Sequence, residues 1–291
     1  MSANFPMLIE PRLHDLGDGF MVRRLLPSLL RRNVGPFVFF DHIGPAELPP
    51  GRGLDVRPHP HVGLATVTYL YDGALTHRDS LGYEQVIRPG DVNWMTAGKG
   101  IVHSERTPAT ERAAGHRMHG IQTWVALPLA DEDTEPEFRH HEAAALPVSE
   151  RAGVSLTVIA GHAFGMRSPV RVFVPTLYVD ARFAAGSTLI VPAEHDERAL
   201  YVAAGTVRVG GVVVPAEHMC LLAPDGAIEI VAESEARVLL CGGARLDGER
   251  HLWWNFVASS RERIERAKAD WLAQRFGQVP GESEFIPLPA R

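Results

Sequence analysis

Short apolar runs, broken at close intervals by Gly, Pro and Asp, set the rhythm of the chain. Val22 to Pro27 reads as a short strand and a turn. Phe37-Val38-Phe39-Phe40, after the Gly35-Pro36 turn signal, has the length of a buried strand. Leu64 to Tyr71 is rich in β-branched and aromatic residues and ends at Asp72-Gly73, a hairpin turn. Val92 to Met95 follows Pro89-Gly90-Asp91. Between Met118 and Leu127 the strand period puts Ile121, Thr123, Val125 and Leu127 on one face and Gln122, Trp124 and Ala126 on the other. From Gly153 to Leu246 the same pattern predicts strands over 154–159, 176–179, 188–191, 200–203, 207–209, 212–214, 219–222, 228–231 and 238–240. Gly205, Gly210-Gly211 and Asp225-Gly226 punctuate them. Evenly spaced short strands with turn signals predict an all-β chain whose second half is another barrel or sandwich.

Two stretches break the rhythm. Residues 131–147 are acidic, then polar and Ala-rich, and read as a linker or crossover at the domain boundary; the adjacent His140-His141 reads as a solvated pair. The tail changes period. Trp253 to Val257 is apolar and is expected to pack across a domain. Ser259-Ser260-Arg261-Glu262 reads as a capping box with Ser259 at the N-cap. Ile264, Ala267, Trp271 and Leu272 recur at helical spacing, Gly277 is the expected stop, and an extended end follows Pro280. The tail is assigned to packing, not to chemistry. The expected domains are 1–135, 136–250 and 251–291, with residues 1–34 as a lead-in.

Composition narrows the function. The chain has 291 residues, 45% hydrophobic and 22% charged, enough for two ordinary globular domains. A net charge of −6 disfavours nucleic-acid or anionic-membrane binding through a basic face. Cys220 and Cys241 read as buried free thiols in a reducing compartment. No basic-then-apolar leader opens the sequence, and no apolar run approaches a membrane span of about 20 residues. A cytoplasmic protein is expected. It is also expected to be a monomer, because two barrels can cover each other's apolar faces.

The chemistry concentrates between residues 53 and 105. On a strand, residues two apart share a face, so His59 and His61 can converge on one point, and His103 and Glu105 on another. Neighbouring strands could join the pairs into three imidazoles and one carboxylate. That set suits a single divalent Fe, Mn, Ni, Cu, Co or Zn, not the thiolate set of a structural zinc knot or the oxygen cage of Ca or Mg. On an octahedral ion it leaves roughly two positions for substrate or dioxygen. Pro58 and Pro60 mark the histidine strand as irregular or edge. Gly98-Lys99-Gly100 lacks phosphate-loop spacing and reads as a tight turn that places His103. Gln122 is a candidate for a contact beside the metal or with substrate. Trp94 and Met95 fit a pocket wall or plain core. His42 reads as a hydrogen-bonded strand-end residue, His77 as structural, and His195 with Glu197 as a surface turn.

Gly53 followed by His59-x-His61, Thr66 and Gly73 resembles the first cupin motif, with Thr66 where that motif has Glu. Gly90 to His103 echoes the second. The runs GPFVFFDHIGP from Gly35, PHPHVGLATVTYLYDG from Pro58, HRDSLG from His77 and PGDVNWMTAGKGIVHSE from Pro89 look like pirin, as does the Gln122–Trp124 segment. The resemblance implies two tandem cupin (jelly-roll type) β-barrels with a short C-terminal helix. It also implies that Glu105 replaces the missing cupin Glu as fourth ligand. Gly186 to Glu194 echoes the first motif with Pro192 and Glu194 in the histidine places, so the second barrel is expected to lack a metal. The resemblance further implies an Fe(II)-dependent quercetin 2,3-dioxygenase that takes a small aromatic or flavonol-like substrate and O2 and releases CO, with Glu105 as proton acceptor. Two alternatives remain at this point: a non-enzymatic, metal- or redox-gated regulator of a partner protein, or a metal that only braces the fold.

Overall fold

The computed structural model describes residues 6–16 and 20–289. Residues 1–5 and 17–19 of the expected lead-in, and the last two residues of the expected extended end, lie outside the described residues. The described residues are mostly strand, with antiparallel ladders, and the α-helices among them are Ala109–Ala114 and Arg261–Leu272. No helix among them is long and apolar enough to cross a membrane.

The chain divides into two compact units. One takes Arg23–His42 and Ala144–Arg245 with the described residues up to His14; the other takes Ile43–Ala143 and the chain from Leu246 onward, with part of 15–22. In the first, one sheet runs Met7–Ile9, Met219–Leu221, Glu197–Ala204, Ala236–Gly243, Thr176–Phe183, Val154–Ala163, Val148–Arg151. A second runs Thr188–Val191, Ile228–Ala232, Thr206–Val209, Val212–Pro215. Every second residue enters a shared core: Leu177, Val179 and Ala181 from one sheet meet Val207, Val209 and Ile230 from the other. At the turn bearing Pro192, the buried Arg198 guanidinium donates to the carbonyls of Pro192 (2.7 Å), Ala223 (2.6 Å) and Gly226 (3.0 Å). A fixed cation thus lies beside Pro192, one of the two residues that the motif echo puts in histidine places.

The second unit repeats the plan. Its larger sheet runs Glu137–His141, Val92–Thr96, Leu64–Asp72, His116–Ala126 and the Ile43–Leu48 half of the strand Phe37–Leu48. Its smaller sheet runs Asp55–His61, Ile101–Arg106, Leu75–Asp79, Glu84–Ile87. The hairpin His251–Trp253/Phe256–Ala258 and the C-terminal helix close one side. There Ile264, Ala267 and Trp271 pack on Val62, Val102 and Phe256.

Several expectations change. The Phe37 strand runs through Asp41 and His42 to Leu48, because both polar residues are satisfied in place. Arg24 chelates Asp41 through two 2.8 Å bonds, and Tyr201 bonds His42 Nδ1 at 2.5 Å. Residues 137–141 form a strand paired with Val92–Thr96, not a linker. Phe138 is its one buried anchor, and His140 is half-buried and bonded to Asn93 at 2.7 Å, not solvated. His195 is buried with Nε2 2.9 Å from the His162 carbonyl, and Glu197 opens a strand, so that pair is not a surface turn. The helix cap is Ser260, not Ser259: the Ser260 hydroxyl accepts from Arg263 N at 3.1 Å, while Ser259 N donates to Glu132. The helix ends at Leu272, before Gly277, and Phe276 beyond it lies against Gly100. Cys220 and Cys241 are free and buried, as expected, and burial pushes both thiols up to about 12.

Candidate metal centre

The centre begins with a pair of prolines. Asp55–His61 is an edge strand bonded only to Ile101–Arg106 within its sheet. Proline has no N–H to give a ladder, and an edge tolerates it. The register slips here: His103 faces His59, yet Glu105 faces Val56. Such a bulge re-aims side chains and takes carbonyls out of the regular ladder. The carbonyl of Arg57 at the slip accepts from His59 Nδ1 at 2.9 Å.

Two glycines hold the strand ends. Gly63, two residues past His61, has φ +71°, and a Cβ there would lie 2.0 Å from the Val257 carbonyl oxygen. Gly98 has φ +49°, and a Cβ would lie 1.9 Å from the Thr134 oxygen. Only glycine fits both the backbone and the approach. The Gly98 to Gly100 segment is the tight turn expected from the sequence, and it delivers Ile101–Arg106 to the edge strand.

Three imidazoles converge as a result. His59 and His61 share a face, and His103 sits directly across from His59. Ring centroids are 4.4 Å apart for His59–His103, 4.9 Å for His59–His61 and 5.0 Å for His61–His103. All three rings are buried, and one ligand atom from each falls within 4.8 Å of the others. Glu105 is not in that group of atoms. Its buried carboxylate lies 3.1 Å from the Thr68 hydroxyl, which is 3.2 Å from Gln122 Oε1.

The electrostatics prepare the rings for a cation. Burial pulls His59 down to about 4 against the help of the Arg57 carbonyl. Burial, then neighbouring imidazoles, pulls His103 well below its usual range, and His61 follows the same pattern. All three are therefore neutral near pH 7 with lone pairs to offer. Burial pushes the Glu105 carboxyl up, opposed by His77 and by hydrogen bonds from Thr68 and Gln122.

The donor set fits a metal ion. His59 Nδ1 is engaged by Arg57 and His61 Nδ1 by the Asn255 carbonyl at 3.2 Å, which leaves the Nε2 of each as the nitrogen with a lone pair to offer. His103 Nε2 is buried with no hydrogen-bond partner among the described residues, and a buried nitrogen so placed can take a metal ion. The contact from Asn255 comes from the tail hairpin, so the tail assigned to packing also orients a candidate ligand. Sequence reasoning did not place Thr68 beside Glu105, nor the Trp124 ring 5.1 Å edge-on from His61. Thr68 was findable as the same-face neighbour of Thr66, across the ladder from Gln122. Met95 proves to be core, packed with Ala97, Ile101 and Phe138.

Two units of paired sheets, one with three converging imidazoles, define a double-barrel protein of the cupin type with a histidine centre able to hold a metal. The family model Pirin matches residues 19–125 and the model Pirin C-terminal cupin domain matches 178–277. The chain belongs to the pirin family. It is 49% identical to a pirin-like protein of Caulobacter vibrioides, over 97% of this chain and 99% of that one. It is 42% identical to a Pseudomonas aeruginosa protein provisionally named a quercetin 2,3-dioxygenase, over 93% and 85%. The crystal structure of quercetin 2,3-dioxygenase from Acinetobacter baumannii is similar at TM-score 0.92 and 36% identity, covering 99% of this chain and 96% of that one.

Proposed function

We propose that the protein is a metal-dependent dioxygenase that opens a flavonol such as quercetin with O2 and releases CO. The observation that carries this reading is the trio His59, His61 and His103, one ligand atom of each within 4.8 Å of the others, with the buried carboxylate of Glu105 on the same strand as His103. The similarity to the Acinetobacter baumannii enzyme supports the substrate class. Fe(II) is the ion proposed, and Glu105 is its proposed fourth ligand on loading.

The bound ion would supply a Lewis acid and a one-electron conduit between substrate and dioxygen. The chain supplies the rest. Glu105 takes the proton of the flavonol hydroxyl on one carboxylate oxygen. Burial pushes that carboxyl up in the metal-free site, and general-base transfer needs a carboxylate positioned within hydrogen-bond reach of the proton. Thr68 and Gln122 hold that carboxyl at the orientation needed for transfer. Trp124, edge-on to His61, gives an apolar wall for a planar aromatic ligand.

Protein reconstituted anaerobically with Fe(II) should consume O2 and release CO when given quercetin. Glu105→Gln should lower kcat by roughly 100-fold or more, the scale of a general base. His59→Ala should abolish turnover. A metal-loaded wild type that turns over nothing with any of several metals would overturn the dioxygenase reading and favour a metal-gated binding protein.

A further inference from the structure

We infer that Asp79 and His77 form a hydrogen-bonded relay that sets the tautomer of His103 and strengthens it as a metal donor. The inference rests on the three-histidine centre proposed above.

The chain of contacts is buried end to end, with Asp79 at 0%, His77 at 3% and His103 at 1% exposure. His77 Nε2 lies 2.9 Å from Asp79 Oδ2, and His77 Nδ1 lies 3.4 Å from His103 Nδ1. Strand pairing builds it. His77 and Asp79 are two apart on Leu75–Asp79 and face Glu105 and His103 across the ladder. Neither end can swing away. Asp79 Oδ1 accepts from Leu81 N at 2.9 Å and Tyr83 N at 3.1 Å, which fixes the carboxylate. The His77 ring stacks on Phe138, centroids 4.1 Å apart and 9° from parallel.

Two ring nitrogens that face each other can bond only if one carries a proton and the other a lone pair. The carboxylate takes the Nε2–H of His77. The Nδ1 of His77 is then the lone pair, and it takes the Nδ1–H of His103. That leaves His103 Nε2 bare, in agreement with its lack of a partner. His59 and His61 are oriented by the neutral carbonyls of Arg57 and Asn255. His103 is joined through His77 to the Asp79 carboxylate, a partner that the other two lack among the described residues.

Asp79→Asn keeps the shape and the turn but can offer an N–H to His77 Nε2. The relay then runs backwards and the proton moves to His103 Nε2, where it blocks the metal. His77→Phe keeps the stack on Phe138 and removes both nitrogens. His77→Asn returns a side-chain oxygen near the Nδ1 position. The measurement is the Zn(II) dissociation constant by competition with a chromophoric chelator, beside the urea midpoint of each metal-free variant. Asp79→Asn and His77→Phe should each weaken Zn(II) by about 10- to 100-fold. The double variant should be no weaker than His77→Phe alone, and His77→Asn should recover part of the loss. The relay is overturned if wild type binds Zn(II) and both single variants bind within about threefold of it. It is also overturned if the losses add in the double variant or only track a fall in metal-free stability. A wild type that binds no Zn(II) would instead overturn the three-histidine centre itself.

Discussion

At the scale of the residue, burial governs the centre. Three imidazoles packed out of water stay neutral, and that readies them for a cation while making the empty site sensitive to acid. The sign follows from proton counting. An unfolded imidazole takes its proton near pH 6.5, but folded His59 waits until about 4. Between those values the unfolded state binds more protons, so stability falls as pH falls. His59 alone contributes a loss of roughly 3 kcal/mol across that window, and His61 and His103 push in the same direction. Urea midpoints of chelator-treated protein should drop between pH 7 and pH 4, and less steeply in His59→Gln. Equal slopes for the two proteins would contradict the assignment. The histidine set was legible from two-residue spacing, since strand period alone puts such pairs on one face. His77 and Asp79 have the same spacing, yet His77 was read as structural and Asp79 was not singled out, because only the ladder register brings them to His103. The Asn255 carbonyl, a backbone group about 190 positions from His61, left no side-chain signal at all.

At the scale of the element, strands with local turn signals were found, and those held by distant partners were cut short or missed. Thr188–Val191 matches its expectation residue for residue, because Gly186 and Pro192 bracket it. Phe37–Leu48 and Glu137–His141 were cut short or missed, because polar residues inside them are satisfied by distant partners that no local window contains. The bulge opposite His103 was equally silent, although Pro58 and Pro60 correctly marked the strand as an edge. The helix shows a milder error of one residue. Both Ser259 and Ser260 suit an N-cap, and the choice falls on Ser260 because Glu132 takes the Ser259 N–H. Ser260→Ala should therefore cost about 1 kcal/mol, while Ser259→Ala should change stability by no more than about 0.5 kcal/mol. Chemical denaturation of both variants decides it, and a reversed order would restore the sequence-based cap.

At the scale of the whole molecule, two similar units carry different contents at matching places. One presents histidines; the other presents Pro192 and a buried Arg198 tied to three turn carbonyls at 3.0 Å or less. The echo of the first motif at Gly186 to Glu194 made that contrast readable, because it lacks the imidazoles. The arginine that fills the turn was not readable, since its partners are backbone carbonyls from two separate segments. A ligand held by the folded state alone stabilises it by about 4 kcal/mol at a thousandfold excess over its dissociation constant. Metal should therefore raise the melting temperature of the wild type and not of His103→Ala.

His59, His61 and His103 together are proposed to hold one divalent ion. Elemental analysis after loading with Zn(II) and exhaustive dialysis tests it most directly, on the wild type and on His103→Ala. One metal per wild-type chain and essentially none on the variant is the expected result. Equal metal on both, or none on the wild type, would contradict it.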